Sequence, residues 1–271
     1  MNGIEISINP VAVHIGSFAL RWYGLAIVAA IIAAVVMGRY EGKRKGIDEN
    51  HIYNVTMWGV IGGVLLARLF HVVDKLSYYA ANPHMILALN QGGLAIWGGV
   101  AGGFLAGFIY ARVQHLHVAR LMDVAAPALL VAQIVGRFGC IVNGDAYGGP
   151  TGLPWGFIYT NPDAMIPSYL WGIPTHPYPV YDMLWNLATL GLLWWLRPRL
   201  KRDGQLFALY IMCYSVSRFL LTFVRQEDIW FWRMQEAQVV AILSFVAAAA
   251  WFYFSRRRKP APVAQSASEQ N

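Results

Sequence analysis

The chain has 271 residues, of which 57% are apolar and only 13% are charged, and its mean hydropathy is +0.44. This composition excludes an ordinary soluble domain and predicts an integral membrane protein. The formal charge of +7 does not indicate nucleic-acid binding, because the basic residues are dispersed along the chain instead of grouped on one solvated face. Both cysteines, Cys140 and Cys213, lie in apolar segments without CxxC or Cys/His spacing, which argues against a disulfide framework or a zinc site.

Seven apolar stretches have about the 20 residues that a helix needs to cross the hydrocarbon core. They cover roughly residues 17–38, 53–73, 93–112, 121–143, 179–196, 205–224 and 237–254. We therefore predict an all-α, polytopic membrane protein with seven transmembrane helices. Residues 1–13 contain no lysine or arginine, and the first apolar run is too long for a signal peptide. We expect the first span to stay in the membrane.

The basic residues predict the orientation of these spans. Fourteen of the 21 lysines and arginines flank one set of span ends, three lie in the opposite loops, and four lie within or at the outer ends of spans. Because basic loops stay in the cytoplasm, we predict an external amino terminus, a cytoplasmic carboxyl terminus and a site open toward the outer leaflet.

Two segments between spans are longer than simple connections. Residues 74–91 predict an interfacial arm, and residues 144–178, rich in Gly, Pro, Trp and Tyr, predict a small external cap. We assign residues 1–259 to one transmembrane catalytic domain that includes both segments, and residues 260–271 to a disordered cytoplasmic tail. In the third span, Gly99, Gly103 and Gly107 recur every four residues and predict close helix packing.

Four arginines fall within or at the ends of the predicted spans, where a guanidinium costs roughly 2.5–3.5 kcal/mol on insertion scales. Arg21 and Arg68 are as compatible with anchors that snorkel to the interface as with a function. Arg137 and Arg218 lie deeper, in polar or small-residue surroundings, and we interpret them as functional.

Further polar side chains share the outer half of the membrane with these arginines. They are Tyr23, Asn143, Asp145 and Asp182, with His176 just outside. Asp182 is compatible with capping the fifth helix or with lining a pocket. Arginine binds phosphate in a bidentate manner and stays charged, so the group as a whole predicts an anionic phospholipid as ligand.

The run from Gly136 to Gly148 reads Gly-Arg-Phe-Gly-Cys-Ile-Val-Asn-Gly-Asp-Ala-Tyr-Gly. It resembles the signature G-R-x-G-N-F-x-N-x-E-x-x-G of the bacterial phosphatidylglycerol:prolipoprotein diacylglyceryl transferases. Supporting blocks follow the same order over residues of about 10 to 255. They are Arg21-Trp22-Tyr23-Gly24, Gly92-Gly93-Leu94-Ala95-Ile96 before Gly98-Gly99, His176-Pro177 with Tyr181-Asp182, and Arg218 through Arg225-Gln226.

Four positions depart from this family pattern. Trp97 stands where many members carry a histidine that is a candidate base, so that role does not transfer to this chain. Cys140 replaces an asparagine, Asp145 replaces a glutamate, and Thr222 stands where a glutamate often follows the arginine of the sixth span. We expect a partly rewired polar network, with Trp97 and Cys140 as packing residues.

The resemblance implies transfer of the diacylglyceryl group of phosphatidylglycerol to the thiol of a lipobox cysteine in a prolipoprotein. Glycerol phosphate leaves, and the reaction takes place at the outer face of the bacterial plasma membrane. Arg137 is expected to bind the lipid phosphate and Arg218 to stabilise the departing phosphate. Asn143 and the backbone of Gly148 shape the headgroup pocket. Tyr23 or Asp145 positions or deprotonates the thiol. We expect a monomer that uses no metal and no cofactor.

A non-enzymatic membrane protein is the alternative, in which the same arginines line an anion channel or a lipid transporter. Such a pathway needs polar positions throughout the bilayer, whereas the predicted polar positions cluster in its outer half. A retinal-type receptor needs an intramembrane lysine, and no predicted span contains one.

Overall fold

A computed structural model describes residues 3–16, 18–88, 92–225, 229–231 and 234–257. Within these residues the chain is mostly helical, with seven helices of at least 17 residues and one short helix. They are α1 (Trp22–Arg44), α2 (Glu49–Asp74), the short α3 (Leu76–Ala81), α4 (Ile96–Val113), α5 (Val118–Asn143), α6 (Tyr178–Leu196), α7 (Gln205–Leu221) and α8 (Glu236–Arg257). Each predicted span therefore corresponds to one long helix. The predicted tail, residues 260–271, lies outside the described residues.

Five of the described helices are long and apolar enough to cross a membrane: α1, α2, α4, α5 and most of α8. The fifth predicted span corresponds to α6, which is not among the five, and the sixth corresponds to α7, an apolar helix of only 17 residues. The five helices turn large apolar side chains outward. Examples are Val36, Leu65 and Leu243, each about 60% exposed. An outward apolar surface of this extent is typical of a protein in lipid.

The first span begins later than predicted. Strand β1 (Ile4–Ile6) is followed by an antiparallel hairpin of β2 (Val11–Ile15) and β3 (Phe18–Arg21), and α1 begins only at Trp22. The prediction of a span from residue 17 was wrong at this end. The hairpin holds its register because the amide of Trp22 donates to the carbonyl of Pro10 at 3.0 Å.

The amino-terminal strand packs on the segment predicted as a cap. β1 pairs in parallel with β4 (Phe157–Tyr159), which lies in that segment. This segment has a small apolar core of its own, which includes Tyr159 with 1% exposure. The hydroxyl of Tyr159 donates to the carbonyl of Ile141 at 3.0 Å. The segment therefore sits on the last turns of α5, which ends at Gly144 in the left-handed region with φ 73°. We call residues 3–16, 18–21, 143–182 and 222–225 the cap end. A third pair of short strands, β5 (Ile229–Phe231) and β6 (Met234–Gln235), precedes α8.

Arg68 is a structural residue in this fold. It is 8% exposed, and it donates hydrogen bonds to the carbonyls of Met85, Ile86, Gly92 and Gly93, with its guanidinium 5.2 Å from the ring of Tyr79. The snorkelling interpretation of Arg68 was wrong, because backbone carbonyls satisfy this guanidinium inside the protein. It fixes the segment predicted as an arm, of which residues 89–91 lie outside the described residues.

Small residues let α2 and α4 come into backbone contact, as the glycine pattern predicted. The tightest positions are Gly98 and Gly102, where an added Cβ would overlap the carbonyl oxygens of Leu66 and Gly62. Gly103 is less crowded, since a Cβ there would lie 3.3 Å from the Gly59 oxygen. The closest contacts therefore lie in the adjacent row of Gly98 and Gly102, while the predicted row also faces α2.

The opposite end of the bundle, residues 41–48, 114–123 and 197–204, is held by ion pairs, and we call it the basic end. Glu41 is fully buried and pairs with Arg44 and Arg197, whose guanidinium stacks 3.8 Å from the ring of Trp194. Lys45 bridges Asp123 at 2.9 Å and Asp203 at 3.1 Å. These pairs join α1, α5, α6 and the α6–α7 connection.

We predict that Gly102→Ala reduces the free energy of unfolding by about 1–3 kcal/mol, because the added methyl group overlaps a carbonyl. The melting temperature of the purified protein should fall accordingly. Gly191→Ala is the matched control, since a Cβ at this helical glycine meets open space. Equal melting temperatures for the two variants in the same detergent would contradict the backbone-contact packing.

We predict that Glu41→Gln destabilises the protein by about 3–5 kcal/mol, because it leaves the buried Arg197 without its carboxylate. Glu49→Gln is the control, since Glu49 and Arg39 form an ion pair with both side chains about half exposed. Thermal unfolding in detergent measures both changes. If Glu49→Gln lowered the stability as much as Glu41→Gln does, the stabilising role of the buried Glu41 would be refuted.

Candidate functional site

The predicted arginine of α5 has a buried carboxylate partner. Arg137 donates through Nε to Oδ2 of Asp182 at 2.6 Å, and Asp182 is 1% exposed on α6. The first turn of α6 has no side-chain cap. The capping interpretation of Asp182 was therefore wrong, and this carboxylate faces the interior beside Arg137.

A second arginine lies on α7 and is held by tyrosines. Arg218 donates through Nη1 to the hydroxyl of Tyr178 at 2.6 Å and through Nε to that of Tyr214 at 2.8 Å. Among the residues that the structure describes, no carboxylate lies within salt-bridge distance of Arg218. Thr222, one turn later, donates to the carbonyl of Phe219 and so bonds to its own helix. Among the described residues, Arg218 therefore has only neutral hydrogen-bond partners.

Tyr178 brings the arginines together, although the sequence did not single it out. It is 2% exposed, and the guanidinium carbons of Arg137 and Arg225 lie 5.6 Å and 5.5 Å from its ring centroid. These distances are within the range of a cation–π interaction. The only sequence signal was its place beside the His176-Pro177 block, at the start of α6.

The glycine-rich run after Arg137 supplies further polar groups. The Nη1 atom of Arg137 contacts the sulfur of the buried Cys140 at 3.6 Å. Asn143 directs its amide nitrogen to the sulfur of Met165 at 3.2 Å, and its Oδ1 atom has no partner among the described residues. Tyr23 lies on α1 at its interface with α5, close enough to interact electrostatically with Cys140 and Arg137.

Asp145 lies just beyond the end of α5, in the same electrostatic environment. Burial raises the pKa of its carboxyl, while the nearby amide of Asn143 and the charges of Arg137 and Arg225 act in the opposite direction. Its Oδ1 atom is buried without a partner among the described residues.

Several buried acceptor atoms near the arginines are unpaired in the described part of the chain. They are Oδ1 of Asn143, Asp145, Asp182 and Asn186. Buried polar atoms are almost always hydrogen-bonded in native proteins, so this group requires water or ligand hydroxyl donors. The arrangement thus provides guanidinium groups that suit an anionic ligand. It also provides oxygen atoms that can accept hydrogen bonds from hydroxyl groups of that ligand.

Gly148 and His176 lie at the edge of this arrangement and have backbone roles. The amide of Gly148 donates to the carbonyl of His176 at 3.0 Å, and an added Cβ would lie 2.6 Å from the Cβ of His176. The amide of Gly149 donates to the carbonyl of Val224, which ties the cap segment to the end of α7. The Gly148 amide is therefore already paired, and its contribution to a headgroup pocket stays a prediction about shape.

The structure brings Arg137, Arg218 and Asp182 around Tyr178 and leaves other candidates apart. The ring of His176 contacts the hydroxyl of Tyr181 at 3.3 Å. Trp97 is half exposed on the first turn of α4. Arg21 is exposed at the end of β3, before α1 begins.

Comparisons with known proteins identify the family of this chain. The sequence model of the prolipoprotein diacylglyceryl transferase family matches residues 10–254. Curated relatives named phosphatidylglycerol–prolipoprotein diacylglyceryl transferase are each 34% identical to this chain. The relative from Lysinibacillus sphaericus aligns over 96% of this chain and 97% of its own length, that from Nostoc sp. over 93% and 92%, and that from Limosilactobacillus reuteri over 91% and 90%.

We predict that the melting temperature of wild type relative to Asp145→Asn falls as the pH rises from about 4 toward neutrality. A carboxyl whose pKa is raised by folding stabilises the protein below its unfolded pKa, about 3.9 for aspartate, and loses that contribution as the pH rises through the folded pKa. Asp163→Asn, which removes an exposed carboxylate from the same segment, is the control. A difference that does not change with pH would contradict the burial of Asp145.

Proposed function

This chain belongs to the prolipoprotein diacylglyceryl transferase family, and from that premise we propose that it transfers the diacylglyceryl group of phosphatidylglycerol to the lipobox cysteine of prolipoproteins. The observation that carries the proposal is the convergence of Arg137, Arg218 and Arg225 on Tyr178. A buried group of guanidiniums binds a phosphate ester strongly, because such contacts are charge-assisted and poorly screened.

The reaction joins the cysteine sulfur to a glyceryl CH₂ carbon and breaks the bond between that carbon and a phosphate oxygen. The electron pair of the broken bond stays on the phosphate oxygen, and the thiol loses its proton. Arg137 binds the phosphate of the donor lipid. Arg218, whose hydrogen-bond partners in the described residues are neutral, stabilises the charge that develops on the departing glycerol phosphate.

The thiol requires activation, because free cysteine has a pKa of about 8.5. Tyr23 and Asp145 are our candidates for positioning or deprotonating it. Neighbouring guanidiniums favour the thiolate, which reduces the demand on a dedicated base. Asn143 and Gly148 complete the headgroup pocket of this proposal, and no cofactor or metal enters it.

Seven spans in a bacterial plasma membrane fit the proposal best, with the cap end outside. The basic end carries Arg44, Lys45 and Arg120, and cytoplasmic loops are enriched in such residues. The cap end then faces exported prolipoproteins, and the site opens toward the outer leaflet. We further propose a monomer as the functional unit. Family membership favours this enzyme over the alternative of an anion channel or lipid transporter.

We predict that Arg137→Gln and Arg218→Gln each reduce thioether formation by at least about 100-fold, because each removes a charge-assisted contact with phosphate. The assay incubates purified protein with phosphatidylglycerol and a lipobox peptide, and mass spectrometry detects the diacylglyceryl adduct on the cysteine. A peptide with serine in place of cysteine is the negative control.

Arg39→Gln provides a matched arginine variant, since Arg39 is exposed and pairs with Glu49 at the opposite end of α1. Melting temperatures separate lost chemistry from lost folding, above all for Arg137→Gln, which leaves Asp182 buried and unpaired. Near-normal lipidation by a folded Arg218→Gln protein would refute its role.

A further inference from the structure

Tyr178 contacts every arginine of the site, either through its hydroxyl or through its ring. Its hydroxyl accepts from Arg218 at 2.6 Å, and its ring lies within 5.6 Å of the guanidinium carbons of Arg137 and Arg225. The residue is buried against Cys140, Ala146 and Leu221, which fixes the ring.

Such an array requires a neutral organiser, because three like charges in a low-dielectric site repel each other. The face of an aromatic ring is electronegative and attracts cations without cancelling their charge. A carboxylate in the same place would attract them more strongly, but it would neutralise the positive potential that a phosphate needs. A phenol therefore orders the arginines and leaves them able to bind an anion.

The charges of the site favour a ligand that becomes more negative during the reaction. Arg137 is paired with Asp182, and Asp145 lies near Arg137 and Arg225, whereas the hydrogen-bond partners of Arg218 among the described residues are two neutral phenols. The charge of Arg218 is therefore the one most open to an anion. The donor is a phosphodiester with one negative charge. Rupture of the carbon–oxygen bond converts it into a phosphate monoester with a second charge. An array whose attraction grows along this path stabilises the transition state more than the bound donor.

Resting on the proposed function, we propose that Tyr178 is a positioning residue that holds Arg137, Arg218 and Arg225 as one array for the departing phosphate monoester. The ligand class is a dianionic phosphate monoester, and glycerol phosphate is the member released by this reaction. Tyr178 itself exchanges no proton or bond with the substrate.

Two substitutions test this role. Tyr178→Phe keeps the ring and removes only the acceptor for Arg218. We expect kcat to fall about 10- to 100-fold, the effect of one hydrogen bond to a charged group, with KM for phosphatidylglycerol nearly unchanged. Tyr178→Leu also removes the ring, and we expect it to raise KM as well. Both should weaken inhibition by added glycerol phosphate.

Tyr210→Phe is the matched control. Tyr210 is also a buried tyrosine, and its hydroxyl accepts a hydrogen bond from Gln133 instead of from an arginine. We expect it to retain the kcat of the wild type and its inhibition by glycerol phosphate. Equal kcat and equal inhibition for Tyr178→Phe and wild type would overturn the inference. So would parallel losses of kcat and melting temperature in Tyr178→Phe and Tyr210→Phe, which would indicate a packing role.

A binding measurement separates this inference from the proposed function. Glycerol phosphate should raise the melting temperature of the wild-type protein, as a ligand of the folded state does, and should raise that of Tyr178→Phe less. If the wild type forms no thioether yet shows this difference, the transferase assignment fails and the array stands. If thioether formation depends on Arg137 and Arg218 but Tyr178→Phe matches wild type in rate and in thermal shift, only the array fails.

Discussion

The interaction on which the site depends is the burial of guanidinium groups in an apolar bundle. Removing a charge from water costs several kcal/mol unless the protein supplies partners. The fold supplies a different partner to each arginine. Arg68 is satisfied by five backbone carbonyls, Arg137 by the carboxylate of Asp182, and Arg218 by two phenol oxygens. Carbonyls and phenols do not cancel the charge, so the kind of partner decides which arginine is still able to attract an anion.

The two ends of the bundle differ in how fully their polar groups are paired. At the basic end, Glu41, Asp123 and Asp203 each have one or two cationic partners. Fully paired charges hold helices in place and leave little capacity for a ligand. At the cap end, the acceptor atoms of Asn143, Asp145 and Asp182 are partly unpaired in the described residues. Unpaired buried groups need a hydrogen-bond donor from water or from a ligand.

The departures from the family pattern have structural counterparts. Thr222 bonds to its own helix, and Tyr178 and Tyr214 are the partners of Arg218. Cys140 is buried against Tyr178, with its sulfur beside Arg137, which fits the prediction of a small packing residue. In the described part of the chain, these phenol partners do not cancel the charge of Arg218.

By itself the sequence determined the helical membrane class, seven apolar segments that coincide with long helices, the close packing of glycines between α2 and α4, and the family. These features are local, since hydrophobic length, small residues and a contiguous motif are written in consecutive positions. The first span was misplaced by five residues, from 17 to Trp22, because a strand such as β3 is as apolar as a helix end.

Only the tertiary structure decided which polar side chains meet. Asp182 pairs with Arg137 across 45 positions, and Tyr178 reaches Arg218 across 40. A tyrosine at the start of a helix is chemically ordinary until the packing of α5, α6 and α7 brings three arginines around it. Likewise, Arg68 and Arg137 are the same residue type in similar apolar segments, and their different roles depend on which oxygen atoms the fold places beside them.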